Sequence, residues 1–325
     1  MATASADSTP PPSYSPPASH PQATVAAPTL TAGRPAWVAV SVATLWRSPA
    51  SPRTVDRPAL ARPARIRGWL SGMTVAQRRG LNGRADTQAL LGERVRVLHL
   101  RGRWARVAVP DQPSPLDRRG YPGWVPARQL TARRPAATAR VATVTARTAW
   151  LRTDDAAATK VVEISFGTHL PYLATTDGRV RVRTPLGAVR RISATAVSVH
   201  LRTRPALPRT GGSLVRAARS FTGLPYLWAG VSGFGVDCSG LTWVDYRAHG
   251  LVIPRDAGPQ SGRGTAVRFA DLRRGDLLFY ASGGMVVHVT LYAGRHRMVQ
   301  APHTGAAVET VPVTLAGYAG ARRYL

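Results

Sequence analysis

The chain carries one cysteine, Cys238, and one lysine, Lys160, in 325 residues. A single cysteine excludes an intramolecular disulfide and leaves no thiolate cluster for a structural zinc site. The eight histidines are scattered from His20 to His303 without ligand spacing, so no metal and no cofactor is expected. No apolar run reaches the roughly 18 residues that a membrane-spanning helix needs, so no transmembrane segment is expected. No basic stretch leads into an apolar core near the N-terminus, so no secretory signal is visible. Zinc-finger, RNP-type and homeodomain signatures are missing, which argues against specific nucleic-acid recognition. A phosphate loop and a Rossmann fingerprint after a strand are missing too. Acidic side chains are scarce: 16 Asp and Glu face 44 Lys and Arg, a formal net charge of +28. Almost all of that excess is arginine, and such a surface attracts polyanions.

What is present falls into four stretches. Residues 1–35 are rich in Pro, Ala, Ser and Thr, with Pro10-Pro11-Pro12 and Pro16-Pro17, and read as a disordered segment. Residues 36–132 alternate like short strands punctuated by Gly and Pro, which argues for a small β-barrel. Its strands are sought around Trp37–Arg47, Thr87–Val97, Trp104–Val109 and Gly120–Pro126. An Arg-rich insertion over 52–84 interrupts it, with a short helix expected near Thr74–Leu81. Residues 139–200 repeat the plan more weakly: Ala149-Trp150-Leu151-Arg152 echoes Thr44-Leu45-Trp46-Arg47, and Phe166-Gly167-Thr168 echoes the Leu91-Gly92-Glu93 turn. No chemistry is ascribed to this second barrel, which reads as a spacer.

The chemistry concentrates in residues 211–325. Cys238 lies in Asp237-Cys238-Ser239-Gly240, reached through Gly-rich Ser232-Gly233-Phe234-Gly235 and followed by an apolar, helix-compatible run. A thiol at a helix start feels the positive end of the helix dipole, which predicts a lowered pKa and a nucleophilic thiolate. Fifty residues on, His288 sits in the β-rich run Val286–Tyr292. Gly294-Arg295-His296 reads as a turn, so the returning strand brings Gln300 near His288. Nucleophile, base and polar orienter are the minimum parts of thiol acyl-transfer chemistry.

This segment resembles the NlpC/P60 cysteine peptidases, which hydrolyse bacterial cell-wall peptides. The matching pieces are Pro225–Gly230, Asp237–Leu241, Pro254-Arg255-Asp256, Leu272–Phe279, His288-Val289 and Ala301–Gly305, in the family's order. The resemblance implies a papain-like α+β domain with Cys238 as nucleophile and His288 as general base. The family's third polar residue, often His, falls on Gln300, which carries no charge; His303 is the alternative orienter. Tyr226 matches a Tyr that the family keeps near the nucleophile. The two upstream stretches resemble bacterial SH3-like domains, and this layout is similar to that of the γ-D-glutamyl-L-diamino acid endopeptidases. That likeness implies a first barrel closing the cleft around a free N-terminal L-Ala, with Glu93 and Tyr121 lining the pocket. Asp237, Ser239, Asp256 and Trp228 are further candidates to contact substrate. Ala257 stands where similar enzymes often have Ser.

The resulting expectation is a monomeric, cofactor-free peptidase acting on peptidoglycan stem peptides, with anionic wall polymers as partners of its basic surface. It would be wall-associated or secreted, or else cytoplasmic in muropeptide recycling. Alternative readings are a catalytically weak wall-binding protein, and an amidase or acyltransferase on the same fold.

Overall fold

The computed structural model describes residues 29–325. The disordered reading of residues 1–28 lies outside the described residues. Residues 33–35 depart from it, because they join the first barrel: Gly33 N–H donates to the Val97 carbonyl at 2.8 Å, and Pro35 pairs with Arg96.

The first barrel is a seven-stranded antiparallel sheet built from Pro35–Val38, Val42–Trp46, Ala85–Leu90, Arg94–Arg101, Trp104–Val109, Tyr121–Pro126 and Leu130–Thr131. Strand alternation sets its faces: in Arg94–Arg101, Val95 and Val97 point inward while Arg94 and Arg96 stay in water. Across the sheet the strands run third, second, sixth, fifth, fourth, first, seventh. The second barrel uses Arg140–Val144, Thr148–Arg152, Lys160–Ser165, His169–Thr176, Arg179–Arg183, Val189–Ser193 and Val197–Leu201 in the same order. The weak sequence echo between the two stretches therefore marks one repeated topology.

The insertion folds as four short helical pieces, Thr54–Asp56, Arg57–Leu60, Ile66–Ser71 and Val75–Arg79. The last is the expected one. Thr74 caps it reciprocally with Gln77, each side chain bonding the other's backbone N–H. The other three were not legible, because they are organised from outside themselves. Buried Asp56 ties Arg53 to the Trp69 indole N–H at 2.9 Å, and Trp69 packs at a tilt against Trp46 of the barrel.

The third unit has a helix at Gly211–Arg219, the nucleophile helix Cys238–Ala248, and a six-stranded antiparallel sheet. In spatial order the sheet is Thr265–Val267, Tyr318–Arg323, Leu277–Ser282, Met285–Gly294, Arg297–Gln300 and Glu309–Pro312. The nucleophile helix lies on this sheet, a papain-like α+β layout. One apolar cluster runs from Trp46 and Leu90 of the first barrel into Leu227, Trp243 and Val244 of this unit. The second barrel keeps a core of its own around Leu151, Ile164 and Val182. Among the described residues no helix is long and apolar enough to cross a membrane.

The second barrel is more than a spacer, since it buttresses the loop that leads to Cys238. Gly233 N–H donates to Ser165 Oγ at 2.8 Å, and a Cβ at 233 would strike the Arg147 carbonyl. The Arg147 guanidinium bonds the Ser220 and Thr222 carbonyls, and Phe166 packs edge-on against Phe221.

All three units meet at Arg247, in the last turn of the nucleophile helix. It pairs with Glu93 of the first barrel at 2.8 Å and donates to the Gly167 carbonyl of the second at 3.2 Å. Its second amino group faces Asp111 at 3.6 Å. Glu93 is thus a buried interdomain partner, which corrects its expected place in a substrate pocket. Nine helical residues separate Arg247 from Cys238, a rise of about 14 Å.

Burial pushes the Glu93 carboxyl up from 4.5 to about 7, against the pull of Arg247. The folded chain therefore holds a proton that the unfolded chain releases above about 4.5, so this group loses stabilising effect as pH rises towards 7. Relative to Glu93→Gln, the wild type should lose unfolding free energy across that window in urea titrations. A difference between the two proteins that stays flat with pH there would refute this assignment.

Candidate active site

The nucleophile is placed by the start of its helix. Asp237 has extended backbone and caps the helix, its carboxylate accepting the Gly240 N–H at 2.6 Å. Gly240 is required there, because a Cβ would collide with the Gly230 carbonyl. Cys238 follows the cap and is buried, with the backbone N–H groups of Val289 and Ser239 directed at its sulfur. The thiol is not lowered as the sequence predicts. Burial pushes it up to about 12 and the neighbouring Asp237 carboxylate adds to this, while the two N–H groups and Arg255 pull the other way and lose.

His288 lies on the strand Met285–Gly294, one residue before Val289. Leu291 pairs with Val299 across the hairpin, so Gln300 stands one step further on, opposite Thr290. From there it reaches His288 along the diagonal, with Gln300 Oε1 2.9 Å from the imidazole Nε2. His303 is exposed and its ring bonds the Thr304 carbonyl instead, so Gln300 is the residue at the imidazole. Burial lowers the His288 pKa below 6.5, opposed by the Gln300 hydrogen bond.

Arg255 organises the wall of the site and was read from sequence only as part of a motif. It is fully buried and donates to both Asp237 oxygens at 3.0 and 2.7 Å, to Ser239 Oγ at 2.9 Å, and to Thr87 Oγ1 of the first barrel at 2.9 Å. This network holds Asp237 and Ser239, the residues on either side of Cys238. The Trp228 indole N–H donates to the Ala85 carbonyl at 2.8 Å and tethers the first barrel.

Beyond Arg255 lies an acidic cradle. Asp256 follows it in sequence, is partly exposed, and lies against the Tyr121 hydroxyl. Asp86, at the start of the barrel strand Ala85–Leu90, adds a second carboxylate near Tyr121 and Asp256, with one oxygen accepting from Arg47 Nε at 2.9 Å. Burial raises the Asp256 pKa, and raises the Tyr121 and Tyr226 hydroxyls far above their ordinary value, so both phenols stay protonated. Tyr226 sits beside Cys238 and Asp237. Asp86, and not Glu93, is thus the first-barrel carboxylate next to Tyr121. The signal was its place at the first residues of a strand, one position before the expected start at Thr87.

Replacing Arg255 by Met would leave Asp237 buried without its cation. Removing one member of a buried pair costs about 3–5 kcal/mol. Calorimetry should show that loss together with loss of activity. Near-wild-type stability in Arg255→Met would contradict the network.

Comparisons with known proteins agree with this geometry. The NlpC/P60 family model matches residues 223–321. A model described as the bacterial dipeptidyl-peptidase Sh3 domain matches 78–130, and one described as the YKFC SH3b2 domain matches 144–200. A Bacillus cereus protein named gamma-D-glutamyl-L-lysine dipeptidyl-peptidase is 38% identical over 302 residues, 89% of this chain and 91% of that one. The protein of the same name from Bacillus subtilis is 40% identical over 281 residues, covering 84% and 92%. A crystal structure of an NlpC/P60 family protein from Bacillus cereus superimposes with a TM-score of 0.85 at 38% identity, covering 90% of this chain and 99% of that chain. With the Cys238–His288–Gln300 constellation on an α+β unit behind two SH3-type barrels, the chain belongs to the NlpC/P60 family.

Proposed function

We propose that the chain is a cysteine peptidase that cuts the γ-D-glutamyl–diamino acid bond of peptidoglycan stem peptides with a free N-terminal L-Ala. The observation that carries this reading is the convergence of Asp86, Asp256 and Tyr121 near Arg255 and Asp237, the residue that precedes Cys238. Two partly desolvated carboxylates around one phenol suit a small cation, and an N-terminal ammonium supplies it. The named relatives act, by their names, on γ-D-glutamyl-L-lysine. Free N-termini occur on released stem peptides, so released peptide is the substrate rather than intact wall.

The raised thiol and the lowered imidazole both favour the neutral forms, so attack proceeds from a thiol–imidazole pair. The Cys238 proton passes to His288 Nδ1 as sulfur bonds the scissile carbonyl carbon. The Cys238 backbone N–H, at the helix start, and the Tyr226 hydroxyl, near Cys238, would receive the developing oxyanion. Imidazolium then protonates the amine of the departing diamino acid as the C–N bond breaks, leaving a thioester. Water, deprotonated by His288, hydrolyses that thioester and returns the proton to sulfur. A wall-binding protein with a dead site is the weaker reading, because Gln300 holds the imidazole as an orienter would.

Cys238→Ala should lower turnover of L-Ala-γ-D-Glu-diamino acid peptide by at least about 1,000-fold with an unchanged circular dichroism spectrum, read by mass spectrometry. Turnover at the wild-type rate would sink the peptidase reading.

N-acetylation of the substrate removes the charge that the cradle would pair, so kcat/KM should drop about 30-fold or more. Asp86→Asn should narrow the gap between free and acetylated peptide, and Glu93→Gln should leave it unchanged. Equal cleavage of both peptides by wild type would eliminate the ammonium pocket.

A further inference from the structure

We propose that Glu309 is a positioning residue for the peptidase reaction, holding His288 in its base-competent form through the Gln300 amide. Gln300 and Glu309 are direct cross-strand partners on Arg297–Gln300 and Glu309–Pro312. Gln300 Nε2 donates to Glu309 Oε1 at 2.9 Å, while Gln300 Oε1 faces His288 Nε2 at 2.9 Å. A carboxylate only accepts, so Glu309 fixes which end of the amide turns towards it. The amide oxygen is thereby left for the imidazole, and an oxygen there only accepts. His288 must carry its proton on Nε2, and Nδ1 keeps the lone pair for the Cys238 thiol.

Without Glu309 nothing in this chain of contacts opposes rotation of the amide by half a turn. The NH2 group would then meet Nε2, the ring proton would move to Nδ1, and the base would face the thiol already protonated. The carboxylate also supplies what a neutral Gln lacks. Its charge, relayed by an amide polarised at both ends, stabilises the imidazolium formed during attack. The other titratable groups at His288 are Tyr280 and His303, neither a carboxylate, and Cys238 lies against the strand one residue along, its sulfur receiving the Val289 N–H. The uncharged third residue therefore reads as the middle of a four-part relay, Cys238–His288–Gln300–Glu309.

The inference rests on the peptidase reading, which fails on its own if wild-type protein does not cleave the stem peptide. With an active wild type, the test is a double-mutant cycle of Glu309→Gln and Gln300→Ala. Glu309→Gln should lower kcat about tenfold with KM unchanged. Loss of the anion disfavours the imidazolium, so the acid limb of the pH–rate profile should move to lower pH. In the Gln300→Ala background the same substitution should change kcat by less than about twofold, because the relay is already cut. Wild-type kcat and acid limb in Glu309→Gln, or the same fold-loss in both backgrounds, would overturn the proposal and leave Glu309 a strand-pairing residue. A second measurement needs no change at 309: nitrogen-15 NMR of the Cys238→Ala protein should find neutral His288 protonated on Nε2. A proton on Nδ1 would overturn the relay directly.

Discussion

The site depends on one buried cation. Arg255 is fully buried, and a guanidinium there is tolerable only if its donors are met. They are met by Asp237, Ser239 and Thr87, so a single side chain joins the nucleophile's helix cap to the first barrel. The cap fixes where the helix begins, and hence where Cys238 points. The next residue, Asp256, inherits its position from the same anchor and enters the cradle shared with Tyr121 and Asp86. One ion-pair network therefore ties the helix start that carries Cys238 to the first barrel.

The same economy appears at the other end of the nucleophile helix. Arg247 gathers Glu93, Asp111 and the Gly167 carbonyl, so the helix is clamped at both ends by contacts that cross domain boundaries. Between the clamps the helix is buried on nearly every side, which is why its sequence shows little amphipathic pattern. That burial also explains the thiol. A helix start lowers a cysteine pKa only when solvent or a cation can support the thiolate. Here burial and the carboxylate beside the sulfur outweigh the nearby Arg255, so the neutral thiol is favoured.

The catalytic pieces were legible because they are local. Asp237-Cys238-Ser239-Gly240 encodes a capped helix start, and the twelve-residue spacing of His288 and Gln300 encodes a hairpin. The barrels were legible through alternation, as Val95 and Val97 against Arg94 and Arg96 show. What escaped is long-range. The Arg255–Thr87 bond joins positions 168 residues apart, and no window of sequence carries it. The error over Glu93 has a simple geometry. Asp86 lies at the start of the strand Ala85–Leu90, and Glu93 lies past its other end, beyond the turn at Leu91-Gly92. A sequence pattern says that a carboxylate flanks this strand, but only the docking of barrel on catalytic domain says which end meets the cleft. The three unforeseen helical pieces of the insertion follow the same rule, since Asp56 and Trp69 take their places from Trp46.

The central claim is that the first barrel completes the substrate site by receiving the N-terminal ammonium at Asp86, Asp256 and Tyr121. A crystal structure of Cys238→Ala with an uncleaved L-Ala-γ-D-Glu-diamino acid peptide measures this most directly. The account predicts the L-Ala nitrogen within hydrogen-bond distance of Asp256 and the Tyr121 hydroxyl, with Asp86 facing it and the scissile carbonyl above residue 238. An ammonium left in solvent, or a peptide running past the barrel with its N-terminus beyond the cradle, would contradict it.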